Sequence, residues 1–309
     1  MKPKLSAIFF FMVIIVFLGY SLKALSSDPL TSIPINGSFE ILPIPDNPTF
    51  VLAMKLSRDG QSIGGSAYKD GYSWMWTITP KAGYVNHGSM FGRLVEGLSG
   101  ETIVGTDQDN GTGLIWESGQ TTATPLYSLY PDSIVKIYGG TPEEATGESR
   151  TMQGDGTAMY WEQGQPIDVG RWGCNGYICL SWGNDTDHET VVGATTGSGC
   201  NWVSPFVWDR TSGMRILPGP EGHNCAGVAY AIRGNHIVGF CSSGWPETLA
   251  CKWIDGIPTL LKTTPNTLIN VAVGVSIDGV IVGYGSLPGY STVALIWRNS
   301  NTGKLLATV

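Results

Sequence analysis

The chain has 309 residues, a formal net charge of −7 and a pI near 5.1, with only 18 lysines and arginines. This acidic balance, without runs of basic residues, excludes nucleic acid as an expected partner, because nucleic-acid binding requires a basic surface. A hydrophobic content of 42% excludes a disordered chain, and 42 glycines with 18 prolines indicate a turn-rich all-β protein.

The first 26 residues have the layout of a secretory signal peptide. Lys2 and Lys4 precede an apolar run, and small residues around Ala24 and Ser26 provide a cleavage site. An uncleaved membrane anchor is the alternative, although about 16 apolar residues fall short of the roughly 20 that span a bilayer. We therefore expect residues 1–26 to be a signal peptide and residues 27–37 to be a linker. The protein is then secreted, periplasmic or at the cell surface, with no membrane contact beyond the signal.

Residues 38–309 contain an internal repeat. In each unit a tryptophan closes a short apolar strand, and a glycine upstream ends another apolar run, as in Ile237-Val238-Gly239. A strand-rich repeat of 40 to 47 residues is typical of a β-propeller, in which each unit is one blade. The sequence therefore predicts a β-propeller of six four-stranded blades, with seven as the alternative. The closing tryptophans are Trp76, Trp116, Trp161, Trp208, Trp253 and Trp297.

Two local patterns support the blade assignment. The segments Ser57–Gly60 and Ser276–Gly279 place glycine where a tight hairpin requires a positive φ. A small residue stands three positions before each closing tryptophan, which indicates interdigitated sheet faces with the tryptophans in the core. Upstream of the first unit, Phe39–Ile44 resembles one more fourth strand, which could close the ring and remove its exposed edges.

At these residues the chain resembles the HAF family, bacterial extracellular repeat proteins named after a His-Ala-Phe triplet. The resemblance covers residues 49–309. It rests on an S-x-D-G-x-x-x-x-G pattern, seen from Ser57 to Gly65 and, one residue shorter, from Ser276 to Gly283. A small residue three positions before a tryptophan follows in each case, whereas the triplet itself is absent. The resemblance implies an exported bacterial β-repeat protein and implies no catalytic residue.

All six cysteines lie between residues 174 and 251. Their even number and the export signal favour disulfides, with zinc as the alternative, although no Cys-x-x-Cys motif or histidine pair occurs. Cys241 and Cys251 lie on strands predicted to be adjacent, so we expect them to pair. For the others the sequence leaves the connectivity open, and the preferred pairs are Cys174 with Cys179 and Cys200 with Cys225.

Motifs for catalysis are absent from the sequence. There is no nucleophile elbow, phosphate loop or His-Glu-x-x-His motif, and the four histidines are scattered. Carboxylates in a central channel stay open as an alternative, because blade loops converge from distant sequence. Asp107 and Asp109 form a weak calcium-loop pattern, and segment 185–189 forms another, with an ordinary polar hairpin as the other interpretation of each. No other cofactor is expected.

Aromatic residues in the loops between second and third strands suggest a binding face. These loops emerge on one face of a propeller, where an aromatic ring either packs over its own blade or is available to a glycan or a protein. The favoured hypothesis is an exported non-catalytic binding module for such a ligand. A secreted polysaccharide hydrolase or lyase and a purely structural envelope protein are the alternatives. The predicted ligand-binding residues are Tyr72, Trp202, Trp245 and Tyr290.

Overall fold

The computed structural model is all-β, as predicted. It describes residues 44–45, 48–70, 72–89, 93–107, 110–117, 120, 122–173, 179–197, 203–221, 226–244, 247–262, 269–286, 292–298 and 304–308. Within these ranges no helix is long and apolar enough to cross a membrane. The predicted signal, linker and most of Phe39–Ile44 lie outside the described residues.

The described strands form four antiparallel sheets of four consecutive strands and one eight-stranded sheet, in which a single parallel pair, Thr248 with Ile269, joins two further four-stranded units. Counted as blades, these units are consistent with the six that the sequence predicts. Blade 1 contains β1 (Phe50–Leu56), β2 (Ile63–Lys69), β3 (Tyr72–Thr79) and β4 (Gly83–Ser89). Blade 2 contains β5 (Arg93–Ser99), β6 (Thr102–Asp107), β7 (Thr112–Trp116) and β8 (Thr124–Leu126). Blade 3 contains β9 (Ile134–Gly140), β10 (Glu144–Arg150), β11 (Gly156–Glu162) and β12 (Gln165–Gly170).

The same order continues in the second half of the chain. Blade 4 contains β13 (Ser181–Asp187), β14 (Thr190–Thr196), β15 (Val203–Asp209) and β16 (Gly213–Ile216). Blade 5 contains β17 (Ala226–Arg233), β18 (His236–Gly244), β19 (Glu247–Ile254) and β20 (Ile257–Leu260). Blade 6 contains β21 (Ile269–Val275), β22 (Ile281–Ser286), β23 (Val293–Trp297) and β24 (Lys304–Thr308).

The first strand of each blade is the inner one. From β1 to β21, the first strand of each blade contacts the first strand of the next, so these strands surround the propeller axis. The short turns between first and second strands and between third and fourth strands lie at one end of the axis, here called the turn face. The loops between second and third strands, and the connections from each fourth strand to the next blade, lie at the other end, here called the loop face.

The six closing tryptophans are core residues, as the repeat predicted. Their exposed fractions run from 0 to 6%. From blade 2 onward the tryptophan side of one blade packs on the preceding blade: Trp161 lies with Val104 and Leu126 of blade 2, and Trp253 with Val192 of blade 4. In blades 2 to 6 the preceding blade therefore helps to bury the closing tryptophan.

Bulges in the inner strands explain the repeat glycines. Each first strand skips one residue in its pairing with the second strand, at positions 54, 96, 138, 184, 230 and 273. A β-carbon at Gly147, Gly193 or Gly239 would come within 1.8 to 2.0 Å of the carbonyl oxygen two residues before the bulge. Only glycine fits there, because a real β-carbon does not approach backbone oxygen so closely. The apolar runs therefore end in glycine where a bulged strand presses on them.

The predicted disulfide between Cys241 and Cys251 is confirmed. It links β18 to β19, with the α-carbons 5.8 Å apart, inside the range that disulfides require. Cys179 is also disulfide-bonded, and no described cysteine is free. Cys174, Cys200 and Cys225 lie outside the described residues, and one of them is the partner of Cys179. The pairing of these four cysteines therefore remains a prediction.

Replacing Trp253 by alanine should lower the free energy of unfolding by about 3–5 kcal/mol, the range for large-to-small changes in a core. The change also removes the hydrogen bond from the Trp253 indole nitrogen to the Pro218 carbonyl. Urea denaturation monitored by circular dichroism measures the loss. Trp172→Ala, at a ring that is 42% exposed, is the control and should stay within about 0.5 kcal/mol. Equal losses in the two variants would contradict the repeat assignment.

Removing the disulfide with a Cys241→Ala/Cys251→Ala double variant should lower the free energy of unfolding by roughly 2.5–3 kcal/mol. The cysteines are 10 residues apart, and the chain-entropy model assigns about this constraint to so short a loop. Urea denaturation of the oxidised proteins measures the difference. An unchanged midpoint would show that this cross-link does not constrain the unfolded chain.

Candidate functional site

Tyr72 is the predicted binding residue that the structure describes. It begins β3 on the loop face, and 51% of the residue is exposed. The hairpin before it has a two-residue loop, because Lys69 pairs with Tyr72, and Asp70 takes a φ of 50° there. The other predicted residues, Trp202, Trp245 and Tyr290, lie outside the described residues and remain predictions.

A shallow cleft of about 220 Å³ surrounds Tyr72 on blade 1. The Tyr72 ring centre lies 6.2 Å from the Trp74 ring centre, with 38° between the ring planes. Trp74 is buried and donates its indole hydrogen to the Tyr84 hydroxyl at 2.6 Å, which fixes the floor of the cleft. The cleft thus combines an aromatic platform with an ammonium, a carboxylate and an amide. Its lining residues are Lys69, Asp70, Tyr72, Trp74 and Asn86.

Exposed aromatic rings of the described residues all lie on the loop face. On the turn face the exposed large apolar residues are aliphatic: Leu56, Ile257 and Ile277. The sequence prediction, which considered only loops between second and third strands, missed three of the aromatic residues: Phe50, Tyr127 and Trp172. Tyr127 and Trp172 lie just after the fourth strands of blades 2 and 3, and that position was the available signal. The exposed aromatic residues are Phe50, Tyr68, Tyr72, Tyr127 and Trp172.

The predicted calcium loop at Asp107 has a local hydrogen-bonding role. Asp107 is buried, and its carboxylate accepts from the side-chain nitrogen of Asn110 at 3.1 Å and from its backbone nitrogen at 3.4 Å. Asp109 lies outside the described residues, so calcium at this loop remains a prediction. Among the residues that the structure covers, no three His, Cys, Asp or Glu side chains come together as a possible metal site.

The second acidic segment joins blades 4 and 5. The Asp185 carboxylate accepts from the Ile232 backbone nitrogen at 3.1 Å and from the Arg233 guanidinium at 2.8 Å. The Asp187 carboxylate accepts from the Gly234 backbone nitrogen at 2.6 Å. Because these oxygens bind the next blade, the contacts favour a structural role for this segment on the turn face.

Charged groups at the inner strands are paired with one another. The Lys55 ammonium lies 3.6 Å from the Glu96 carboxylate and donates to the Tyr138 carbonyl at 3.3 Å, so it joins blades 1, 2 and 3. Burial raises the pKa of Glu96 from 4.5 to about 7, although the Lys55 charge opposes this shift. In blade 3 the buried Glu148 carboxylate accepts from the Tyr138 hydroxyl and the Arg150 guanidinium, both at 2.9 Å.

Arg58 crosses the axis at the turn face. It lies in the first turn of blade 1, yet its guanidinium donates to the Glu144 carboxylate of blade 3 at 3.0 Å and to the Thr186 carbonyl of blade 4 at 2.5 Å. It also lies 3.8 Å from Asp187. In a ring of six, blade 4 stands opposite blade 1, so one side chain spans this end of the axis.

Comparison with solved structures supports the fold. The chain is similar to a prolyl endopeptidase structure, with a TM-score of 0.60 and 10% identity over 89% of this chain, but it spans only 45% of that chain. It is similar to the β-propeller domain of the Trilobed protease from Pyrococcus furiosus, with a TM-score of 0.55 and 13% identity over 84% of each chain. An oligogalacturonate lyase in complex with manganese gives a TM-score of 0.59 and 13% identity, over 82% of this chain and 75% of that one.

These similarities establish a β-propeller and go no further, because the identities are too low to transfer a function. No protein-family model and no curated protein matches the chain. The fold is therefore shown, whereas the resemblance to the HAF family remains a prediction.

The raised pKa of Glu96 should make stability depend on pH. In the unfolded chain this carboxyl group loses its proton near pH 4.5, and in the folded protein near pH 7. Between these values the folded state binds more protons, so its stability falls as pH rises. A Glu96→Gln variant avoids this loss and should gain stability relative to the parent between pH 5 and pH 8. The gain should reach up to about 3 kcal/mol, at roughly 1.4 kcal/mol per pKa unit.

Thermal denaturation at half-unit pH steps measures this difference. Glu117→Gln, which removes the same charge from an exposed side chain, controls for net charge. A Glu96→Gln variant whose melting temperature follows the parent at every pH would show that Glu96 ionises normally.

Proposed function

We propose that the protein is an exported, non-catalytic binding module that recognises a glycan through its loop face. The observation that carries the proposal is the one-sided distribution of exposed aromatic rings, all five of which lie at that end of the axis among the described residues. Exposed apolar side chains grouped on one face mark an interaction site, and aromatic rings are enriched at binding surfaces. The blade 1 cleft at Tyr72 is the described part of this surface.

The chemistry of the cleft favours a sugar. The exposed Tyr72 ring offers an apolar face with a polar edge, which matches the apolar and hydroxylated sides of a pyranose. Asp70 and Asn86 supply acceptors and a donor for hydroxyl groups around that ring. The cleft is smaller than the 300–1,000 Å³ typical of sites for drug-sized ligands, so it suits a single sugar unit of a longer chain that extends over the face.

Contacts at the axis argue against the alternative of a hydrolase or lyase with carboxylates in the central channel. Glu96 is paired with Lys55, and Glu148 is paired with Arg150. Both carboxylates are therefore engaged by neighbouring side chains of the propeller. Arg58 spans the turn-face end of the axis, which leaves less room for a polymer there. The propellers to which this chain is similar include peptidases and a lyase, so the fold is compatible with catalysis, but no described cluster here favours it.

The proposal also includes the compartment and family. The signal-like residues 1–26, the disulfide between Cys241 and Cys251 and the repeat pattern shared with the HAF family support an exported bacterial protein. A disulfide persists in an oxidising compartment, which is consistent with export. The remaining alternative, a purely structural envelope protein, differs by having no ligand for the loop face.

A glycan array identifies the ligand, and titration calorimetry with the best oligosaccharide then compares variants. Tyr72→Ala should weaken binding at least tenfold, which corresponds to about 1.4 kcal/mol, because an exposed ring at a site contributes contact area rather than core packing. Its melting temperature should stay within a few degrees of the parent. Ile257→Ala is the control, since that side chain is 69% exposed on the turn face, away from the proposed binding surface.

The outcomes separate the hypotheses. Equal binding by the Tyr72→Ala and parent proteins would remove the cleft from the proposal. No retained glycan on the array, together with a Tyr72→Ala variant that is destabilised, would favour a scaffold with structural aromatic lids. A ligand that proves to be a protein would keep the binding face and change the partner.

A further inference from the structure

The cleft on blade 1 has an amide donor on its β4 side. Asn86 is exposed and lines the cleft. Its side-chain oxygen accepts from the Gly88 backbone nitrogen at 2.8 Å, so this backbone donor distinguishes the oxygen of the amide from its nitrogen. The side-chain nitrogen, with two N–H groups, is then the part of Asn86 that a ligand can use. This donor favours a ligand group that accepts hydrogen bonds, such as a carbonyl.

The acceptor of the cleft is at the tip of the hairpin that leads into β3. Asp70 is exposed there, with a φ of 50° that turns the chain from β2 into β3. A carboxylate accepts hydrogen bonds and donates none. The neighbouring Lys69 carries the opposite charge, and both residues line the cleft. The lining residues together therefore have no net charge with which to attract an anion or a cation.

Tyr72 and Trp74 give the cleft an apolar surface between these polar groups. Both residues belong to β3, which lies between β2 and β4 in the sheet. The Trp74 indole hydrogen is already donated to the Tyr84 hydroxyl at 2.6 Å, and only 4% of Trp74 is exposed. Trp74 therefore offers a ligand a small area of apolar ring and no hydrogen bond. A methyl group suits this surface, because binding sites combine apolar walls with a few placed polar groups.

We infer that the sugar unit bound in this cleft is an N-acetylated amino sugar, an inference that rests on the proposed glycan-binding function. The acetamido group of such a sugar combines a carbonyl acceptor, an N–H donor and a methyl group, and the cleft has a counterpart for each. The Asn86 nitrogen donates to the carbonyl oxygen, and the Asp70 carboxylate accepts from the N–H group. The methyl group packs towards Trp74, while the exposed Tyr72 ring receives the face of the pyranose.

Other sugars match fewer of these groups. A uronic acid brings a second carboxylate close to Asp70, on a protein whose formal net charge is −7, so repulsion opposes its binding. The ammonium of a deacetylated amino sugar has donors only, so it leaves the Asn86 nitrogen without an acceptor. A plain hexose bonds to either polar group through a hydroxyl, but it has no methyl group for the Trp74 surface.

Titration calorimetry of the parent protein with a matched series of β-1,4-linked trimers tests the inference. The N-acetylglucosamine trimer should bind at least tenfold more tightly than the trimers of glucose, glucosamine and glucuronic acid. Each of the other three sugars differs from glucose at a single ring substituent, so the series isolates the contribution of the acetamido group. Tyr72→Ala should weaken every trimer that the parent binds, because the stacking surface is common to all of them.

An Asn86→Asp variant separates the acetamido contact from stacking. A carboxylate at this position still accepts from the Gly88 backbone nitrogen but has no N–H group. The preference for the N-acetylglucosamine trimer over the glucose trimer should therefore fall to threefold or less. Gln61→Glu makes the same change from amide to carboxylate at an exposed position on the turn face, so it is the matched control and should keep the tenfold preference.

Equal affinity for the N-acetylglucosamine and glucose trimers, or a preference that survives in Asn86→Asp, would overturn the inference. The proposed function would outlast that result if Tyr72→Ala still weakened binding of the glucose trimer or of another glycan retained on the array. Absence of binding by all four trimers would also overturn the inference, and the array would then decide the proposed function separately. Should Asn86→Asp fail to fold, the comparison of trimers on the parent protein decides alone.

Discussion

Burial of the closing tryptophans of blades 2 to 6 against the preceding blade is the interaction on which this structure depends. A four-stranded sheet has two faces, and a ring as large as indole leaves water only when another sheet covers it. In blades 3, 5 and 6 the cover also supplies a carbonyl for the indole hydrogen, so the contact fixes orientation as well as burial. Blade 1 has no predecessor in chain order, and Trp76 is buried instead in a cluster with Ala67 and Trp74 of its own blade, against which Ile44 packs.

A second constraint operates around the axis. Bulges recur at the same position of the inner strands, and in blades 3 to 6 a carbonyl beside the bulge lies so close to the second strand that only glycine fits there. The inner strands also bring Lys55 of blade 1 beside Glu96 of blade 2, where burial raises the pKa of Glu96, while Glu148 pairs with Arg150 within β10. The Lys55–Glu96 pair links two neighbouring blades, and breaking it would leave a costly unpaired charge.

The two ends of the propeller have different chemistry. The turn face has short hairpins, inter-blade carboxylate contacts and aliphatic exposed residues, and Arg58 links opposite blades there. The loop face has longer connections and the exposed aromatic rings. The connections between blades start and end at the loop face, and such connecting segments tolerate variation, so recognition evolves more readily there. This division supports placing a ligand among Tyr72 and its neighbours.

The sequence by itself determined the repeat, the strand order within each blade, the buried tryptophans and the pairing of Cys241 with Cys251, because these follow from periodic, local patterns. It also placed Tyr72 in a loop on one face, but left open whether its ring packs over the blade or is exposed. Only the tertiary structure decided that Tyr127 and Trp172 share the face of Tyr72, that Asp187 serves the neighbouring blade, and that Arg58 reaches blade 4. Those facts join residues from separate blades, and no single-sequence pattern records which strand ends the closure of a ring brings together.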